Sequence, residues 1–317
     1  MAGKENPISA TQFFDNATES SEIEGRIQSN CGLFAIVYPE ENPGQMDLRA
    51  TTLRAGADLQ HRAEGGAGYA VFDGTGKGQF VRGLGRIDVA FQDGRLLPKT
   101  PDARIAILHT RYPTAGGSDH LPNIQPLTYE GISLAHHGNL TNAAQVLESI
   151  PEGIQIGGQY PDSDSWIALN AIARAKGNGL AEKMINAQRE FEGGWAFIAT
   201  DGKEVVASRD PQGIRPLFLA TIGDPKRPQA YLLSVEPAPF NSLDVDDWRD
   251  VLPGETVSII DGQARTVDLS PDTEQRSCIF ETVYMMHPDS KYMGQLVHMA
   301  RRKAGHLLWR EHPVQAD

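Results

Sequence analysis

The pattern of apolar and polar positions divides the chain unevenly. Residues 1–30 are polar, rich in Ser, Thr, Asn and Glu, and read as a flexible, cleavable leader rather than a folded element. An apolar, β-prone run, Leu33 to Tyr38, follows directly behind Cys31-Gly32. Leu48, Thr52, Ala55 and Leu59 fall on one face of a helix expected over residues 46–61. That helix leads into a Gly-rich loop at residues 65–68 and a short strand from Tyr69 to Phe72. Ala103 to Leu108 is nearly continuous in apolar residues, the signature of a strand covered on both faces. Ile132 to Ala135 reads as another buried strand, followed by a helix that Asn142 is placed to cap. Ser163-Asp164 opens a helix through Ala175 with Trp166, Leu169 and Ala173 as its stripe, and a second helix runs to about Phe191.

Strands are expected at 195–200, 204–209, 230–234 and 256–260, separated by turn signals. Near the end, Cys278 to Tyr284 looks strand-like, and Tyr292 to Leu308 has the spacing of an amphipathic helix. The alternation of strand pairs and helix pairs suggests an α+β layered fold, with sheets packed on each other and helices outside.

Composition narrows the function classes. With 317 residues the chain is long enough for one large domain or two medium ones. A net charge of −12 argues against nucleic acid or an anionic membrane as partner. No apolar run approaches the roughly 20 residues that cross a bilayer, and the N-terminus lacks the pattern of a secretory signal. The two cysteines, Cys31 and Cys278, are too few for a disulfide framework or a four-cysteine metal site. The natural setting is a reducing, cytoplasmic one.

The candidate chemistry begins at Cys31. A thiol at the head of a buried strand, behind a removable segment, suggests an N-terminal nucleophile. After cleavage its α-amine, with a pKa of roughly 7.7–8.0, is a usable base for the thiol proton. Three further polar groups stand at element ends. Arg111 carries a planar fork suited to an α-carboxylate. Asp164 has a carboxylate suited to an α-ammonium. Gly138 has a backbone N–H suited to an oxyanion, and a side chain beside it is placed to give a second donor. Taken together they are the parts for binding an amino acid and attacking its side-chain amide. Taken singly each has an ordinary structural reading: a buried small residue, a turn arginine, a helix cap, a loop histidine.

Several stretches together resemble one family. They are Cys31-Gly-Leu-Phe-Ala-Ile36, Leu59-Gln-His-Arg62, His109-Thr-Arg-Tyr-Pro-Thr-Ala-Gly116, Ala135-His-His-Gly-Asn-Leu-Thr-Asn142 and Ser163-Asp-Ser165. Further on come Arg209-Asp-Pro-Gln-Gly-Ile-Arg-Pro-Leu217, Pro253-Gly-Glu255, Phe280-Glu-Thr-Val-Tyr284 and Pro288-Asp-Ser290. Over residues 31–308 the chain resembles the class II glutamine amidotransferase part of amidophosphoribosyltransferases. The resemblance implies a four-layer αββα sandwich of the N-terminal nucleophile (Ntn) hydrolase type. It implies glutamine hydrolysis to glutamate and ammonia for 5-phosphoribosylamine formation in purine biosynthesis. Cys31, His137 and Gly138 become the catalytic candidates, and Arg111, Asp164, Arg62, Tyr112 and Thr114 the glutamine-binding ones.

Two positions depart from the family pattern: His137 stands where the family has asparagine, and Ala63 where it has glycine. Both bear on glutaminase efficiency. The expected organisation is a leader at 1–30, an amidotransferase domain at 31–270, and at 271–317 the start of a truncated phosphoribosyltransferase-like region. No phosphoribosyl pyrophosphate loop is found. The family's Mg²⁺ belongs to that further region, so no cofactor is expected in this chain. An iron–sulfur cluster, held by some members, needs more cysteines than Cys278 once Cys31 is the nucleophile. The partners implied are glutamine as substrate, a separate phosphoribosyltransferase and a homo-oligomer. The alternative is a weak or inactive paralogue, or a truncated product, that keeps the fold as a regulatory binding module.

Overall fold

The computed structural model describes residues 31–39, 47–92, 102–112, 121–150, 163–272 and 274–314. The elements in order are β1 (Gly32–Val37), α1 (Leu48–Asp58), β2 (Gly66–Asp73), β3 (Gly78–Leu84), α2 (Ile87–Ala90), β4 (Ala103–Arg111), β5 (Leu127–Tyr129) and β6 (Ile132–Leu140). Then come α3 (Ala143–Glu148), α4 (Asp164–Arg174), α5 (Leu180–Gln188), β7 (Gly193–Thr200), β8 (Val205–Arg209), β9 (Phe218–Asp224), β10 (Arg227–Ser234) and α6 (Ala238–Ser242). The last are β11 (Trp248–Asp250), β12 (Glu255–Ile260), β13 (Gln263–Leu269), β14 (Lys291–Tyr292), β15 (Gln295–Leu296) and α7 (Val297–Glu311).

Two antiparallel sheets form the body. One has the order β11-β9-β10-β1-β4-β2-β3, the other β13-β12-β8-β7-β6-β5. The strand period of two sorts the second sheet's side chains by layer. Ala196 and Ile198 of β7 join Leu33, Ile107 and Leu233 of the first sheet in the core between the sheets. Trp195, Phe197 and Ala199 face the other way, against Trp166, Leu169 and Met184 of the outer helices α4 and α5. On the far side, α1 lies over β1 and β4 with Leu48, Thr52, Ala55 and Leu59 buried, as the spacing predicts. The result is the four-layer αββα sandwich.

Several elements differ from the sequence reading. The expected loop at 65–68 is strand from Gly66 onward. Its glycines admit a close neighbour: a Cβ on Gly68 would sit 1.9 Å from the carbonyl oxygen of Gln125. Strand β6 does not stop at Ala135 but pairs with β7 as far as Leu140 opposite Gly193. Asn142 makes no cap hydrogen bond; its side chain donates to Glu190 O (2.8 Å) and accepts from Glu192 N–H (2.9 Å), tying α3 to the start of β7. The 278–284 segment is not a strand. Residues Glu281–Met285 form one π-helical turn, closed by Met286 N–H to Glu281 O at 2.9 Å, with the Glu281 side chain buried. The last helix starts at Val297 rather than Tyr292, which belongs to a hairpin turning through Met293 and Gly294, both at positive φ.

Candidate functional site

The site lies where ends of the two sheets meet. Strand β1 runs between β10 and β4, and Cys31 immediately precedes it. Gly32 must be glycine there, since a Cβ would lie 2.5 Å from Thr110 Oγ1 and 2.9 Å from Leu59 Cβ. The same Thr110 hydroxyl accepts the Gly32 N–H at 3.1 Å, which pins the residue after the cysteine to β4. Arg111 ends β4 and is buried, with Tyr112 just beyond it.

Cys31 is itself buried. Burial pushes its thiol pKa up; the Tyr112 backbone N–H and the charges of Arg111 and Arg62 pull it down, and Asp164 adds to the rise. Arg111, Tyr112, Arg62 and Asp164 therefore all lie within electrostatic reach of Cys31. Thr114 lies outside the described residues, as do residues 1–30.

Asp164 is the first residue of α4, where the helix N-terminus favours an acid. Ser163 caps the helix by accepting Trp166 N–H at 3.4 Å, so Asp164 is not the cap. One Asp164 oxygen accepts the Leu140 N–H at 3.1 Å, which joins α4 to the end of β6. Between them stands His136, fully buried, with Nδ1 3.0 Å from Ser165 Oγ and its ring against Phe197 at 4.7 Å. Gly138, on β6, has φ +151°, and a Cβ would meet Gly194 O at 2.1 Å, so no side chain fits there.

His137 points to the other face of β6 from His136 and enters a buried ionic cluster. Its Nε2 is 3.0 Å from Glu281 Oε1 and 3.3 Å from Arg62 Nη2. Arg62 Nη2 reaches Glu281 Oε2 at 3.0 Å, and Arg62 Nε donates to the carbonyl oxygen of Cys31 at 3.1 Å. Arg215 Nη1 is 3.5 Å from Glu281, and Glu236 lies 3.5 Å from Arg62 and 2.8 Å from His61 Nε2.

Two buried arginines thus face two buried glutamates, and the charge balances. Burial alone would raise the Glu281 carboxyl, but Arg62, the His137 hydrogen bond and Arg215 hold it well below the usual carboxylate range. Burial pushes His137 down to about 3 despite Glu281, so the imidazole is neutral near pH 7. Ala63 is also buried and borders a cleft of about 520 Å³ shared with His61, Arg62, Tyr112, Met285 and His287.

The cluster holds residues that sequence reasoning assigned no role at the site: Glu281, Glu236 and Arg215. Their partners are 219 residues away in the case of Arg62 and Glu281. A signal did exist for Arg215. Asp210, in the Arg209–Leu217 motif, accepts the N–H groups of Ile214 and Arg215 at 2.9 Å each and so shapes the loop that presents it. Among the described residues no group of three or more His, Cys, Asp or Glu side chains is placed to hold a metal ion.

Comparison with known proteins agrees with this architecture. Residues 114–227 match the family described as glutamine amidotransferase domain. The amidophosphoribosyltransferase of Bacillus subtilis is 32% identical over 94% of this chain, and that of Rhizobium etli 33% identical over 92%. A solved structure of glutamine phosphoribosylpyrophosphate amidotransferase from B. subtilis, in complex with ADP and GMP, superposes with a TM-score of 0.75 at 31% identity over 90% of this chain. A second, titled the allosteric regulatory enzyme of purine biosynthesis, gives 0.77 at 32% identity. The fold and site define a glutamine amidotransferase domain of the Ntn type. The chain carries a glutamine amidotransferase domain similar to the N-terminal part of amidophosphoribosyltransferases. It spans about 60% of the length of the B. subtilis relative and 57% of the R. etli one.

Proposed function

We propose that this chain hydrolyses glutamine to glutamate and ammonia, with Cys31 as the nucleophile. The observation that carries the reading is the convergence of Cys31 with Arg111, Asp164 and Arg62 at the meeting ends of two sheets. Arg111 receives the α-carboxylate of glutamine and Asp164 its α-ammonium. Tyr112 borders the cleft beside Arg62. After removal of residues 1–30, the α-amine of Cys31 takes the thiol proton. The thiolate attacks the side-chain amide carbon, and the Gly138 N–H supports the oxyanion. The C–N bond breaks, ammonia leaves with the proton, and water cleaves the resulting glutamyl thioester. Arg62 anchors the Cys31 carbonyl so that the thiol is presented in one orientation.

The ammonia acceptor in this reading is phosphoribosyl pyrophosphate, bound by a phosphoribosyltransferase portion or partner, and the product is 5-phosphoribosylamine for purine synthesis in the cytoplasm. A second reading, a weak or inactive regulatory module, is favoured by the raised thiol pKa and by the engagement of His137 with Glu281.

Ammonia release from glutamine by protein beginning at Cys31 separates the two. The first reading expects turnover that Cys31→Ala abolishes. It also expects Arg111→Lys to raise KM, because lysine keeps the charge but loses the bidentate fork. Ammonia release unchanged in Cys31→Ala would overturn it.

A further inference from the structure

The neutral imidazole of His137 has one proton and two nitrogens. Its Nε2 faces Glu281 Oε1 at 3.0 Å, and a carboxylate can only accept. With the proton on Nδ1, two lone pairs would oppose each other across that distance. Arg62 Nη2 is the other neighbour of Nε2, at 3.3 Å, but it lies closer to Glu281 Oε2, at 3.0 Å. An N–H···O⁻ bond is also roughly twice as strong as a neutral one. The cluster's balance of two arginines and two glutamates leaves no unmatched negative charge to draw a second proton onto the ring. Finally, His137 Nδ1 is buried without a hydrogen-bond partner among the described residues.

We propose that Glu281 is a positioning residue that fixes the His137 proton on Nε2, leaving Nδ1 as a bare hydrogen-bond acceptor. The proposal deepens the glutaminase reading and rests on it for its functional consequence. In this tautomer His137 has no N–H to offer from Nδ1. It therefore cannot supply the oxyanion donation that an asparagine amide would at the same position, and Gly138 is left as the backbone donor. The residue doing this comes from the segment after residue 278, so that segment tunes the chemistry of the first domain without touching substrate.

The test is nitrogen-15 NMR of histidine-labelled full chain, with His137→Asn identifying the His137 signals. The expected result is a protonated Nε2 and an unprotonated Nδ1. Glu281→Asp keeps this pattern. Glu281→Gln, whose amide can donate to Nε2, moves the proton wholly or partly to Nδ1. A proton on Nδ1 in the parent, or an unchanged tautomer in a folded Glu281→Gln, overturns the proposal. If Glu281→Gln fails to fold, the parent and Glu281→Asp spectra decide. None of these readouts needs turnover, so failure of the tautomer and failure of the glutaminase reading are distinguishable. In kinetics, His137→Asn is expected to raise kcat at least tenfold at similar KM, and a parent at least as fast as that variant would count against the proposal.

Discussion

The sandwich and the segment from Cys278 to Glu311 belong to one chain but are held by different physics. In the sandwich, strands such as β1 and β4 are buried along nearly their whole length, and the contacts are apolar on both faces of the second sheet. In the segment the apolar residues mostly face outward: Ile279, Tyr284, Met299, Leu308 and Trp309 are all exposed. What goes inward is one carboxylate, Glu281, together with Met285, Met286, Tyr292 and Val297. The anchor is completed by Glu236, whose Oε2 accepts the His287 N–H at 2.9 Å. A sheet held by area tolerates small polar changes at its rim. A segment held by a few buried side chains around one ionic cluster depends more heavily on each of them.

The sharpest way to break this comparison is Glu281→Ala. Removing one partner of a buried ion network leaves Arg62 and Arg215 short of compensation, and such changes cost about 3–5 kcal/mol. Equilibrium urea unfolding, with hydrogen exchange across 278–311, is expected to show that loss and early opening of the segment. A change below about 1 kcal/mol would mean that the apolar contacts hold the segment.

The pH dependence gives a smaller effect of known sign. His109 and His137 are each pushed by burial from 6.5 to about 3 in the folded chain. As pH falls below about 6.5, the unfolded state binds these protons and the folded state does not, so stability falls through that window. The lowered Glu281 carboxyl acts in the same direction further down. Thermal melting from pH 7 to 4 is expected to show a declining Tm, with a shallower decline in His137→Asn. Equal slopes would contradict the burial of a neutral His137.

The smallest effect belongs to the outer face of α7. Leu308 is 61% exposed, so Leu308→Ser is expected to change stability by no more than about 0.5 kcal/mol, read by the same urea titration.

How much of this was legible in the sequence follows from the range of the interactions. Cys31, Arg111 and Asp164 stand at ends of elements that local pattern announces, and the structure brings Arg111 and Asp164 within electrostatic reach of Cys31. Strand β6 outruns its local pattern because its polar stretch, His136-His137-Gly138-Asn139, hides strand pairing that only β7 reveals. Asn142 looked like a cap because its residue type favours caps; a tertiary contact with Glu190 and Glu192 took its side chain instead. Glu281 was missed for a stronger reason. Its flanking Ile279, Phe280, Val283 and Tyr284 give the segment a strand's composition, yet those side chains are exposed. Nothing local says that the acid between them pairs with an arginine 219 residues earlier. The role of His137 is hidden in the same way, since its neighbour at Nε2 is that same acid.

The central claim is that Cys31 forms a covalent bond to the side-chain carbonyl of glutamine. The direct measurement is rapid acid quench of protein beginning at Cys31 during turnover, followed by peptide mass spectrometry. The account predicts a glutamyl adduct on the Cys31 peptide, labile to hydroxylamine and absent in Arg111→Ala at the same glutamine concentration. Steady ammonia release with no adduct on Cys31, or with the adduct on Cys278, would contradict it.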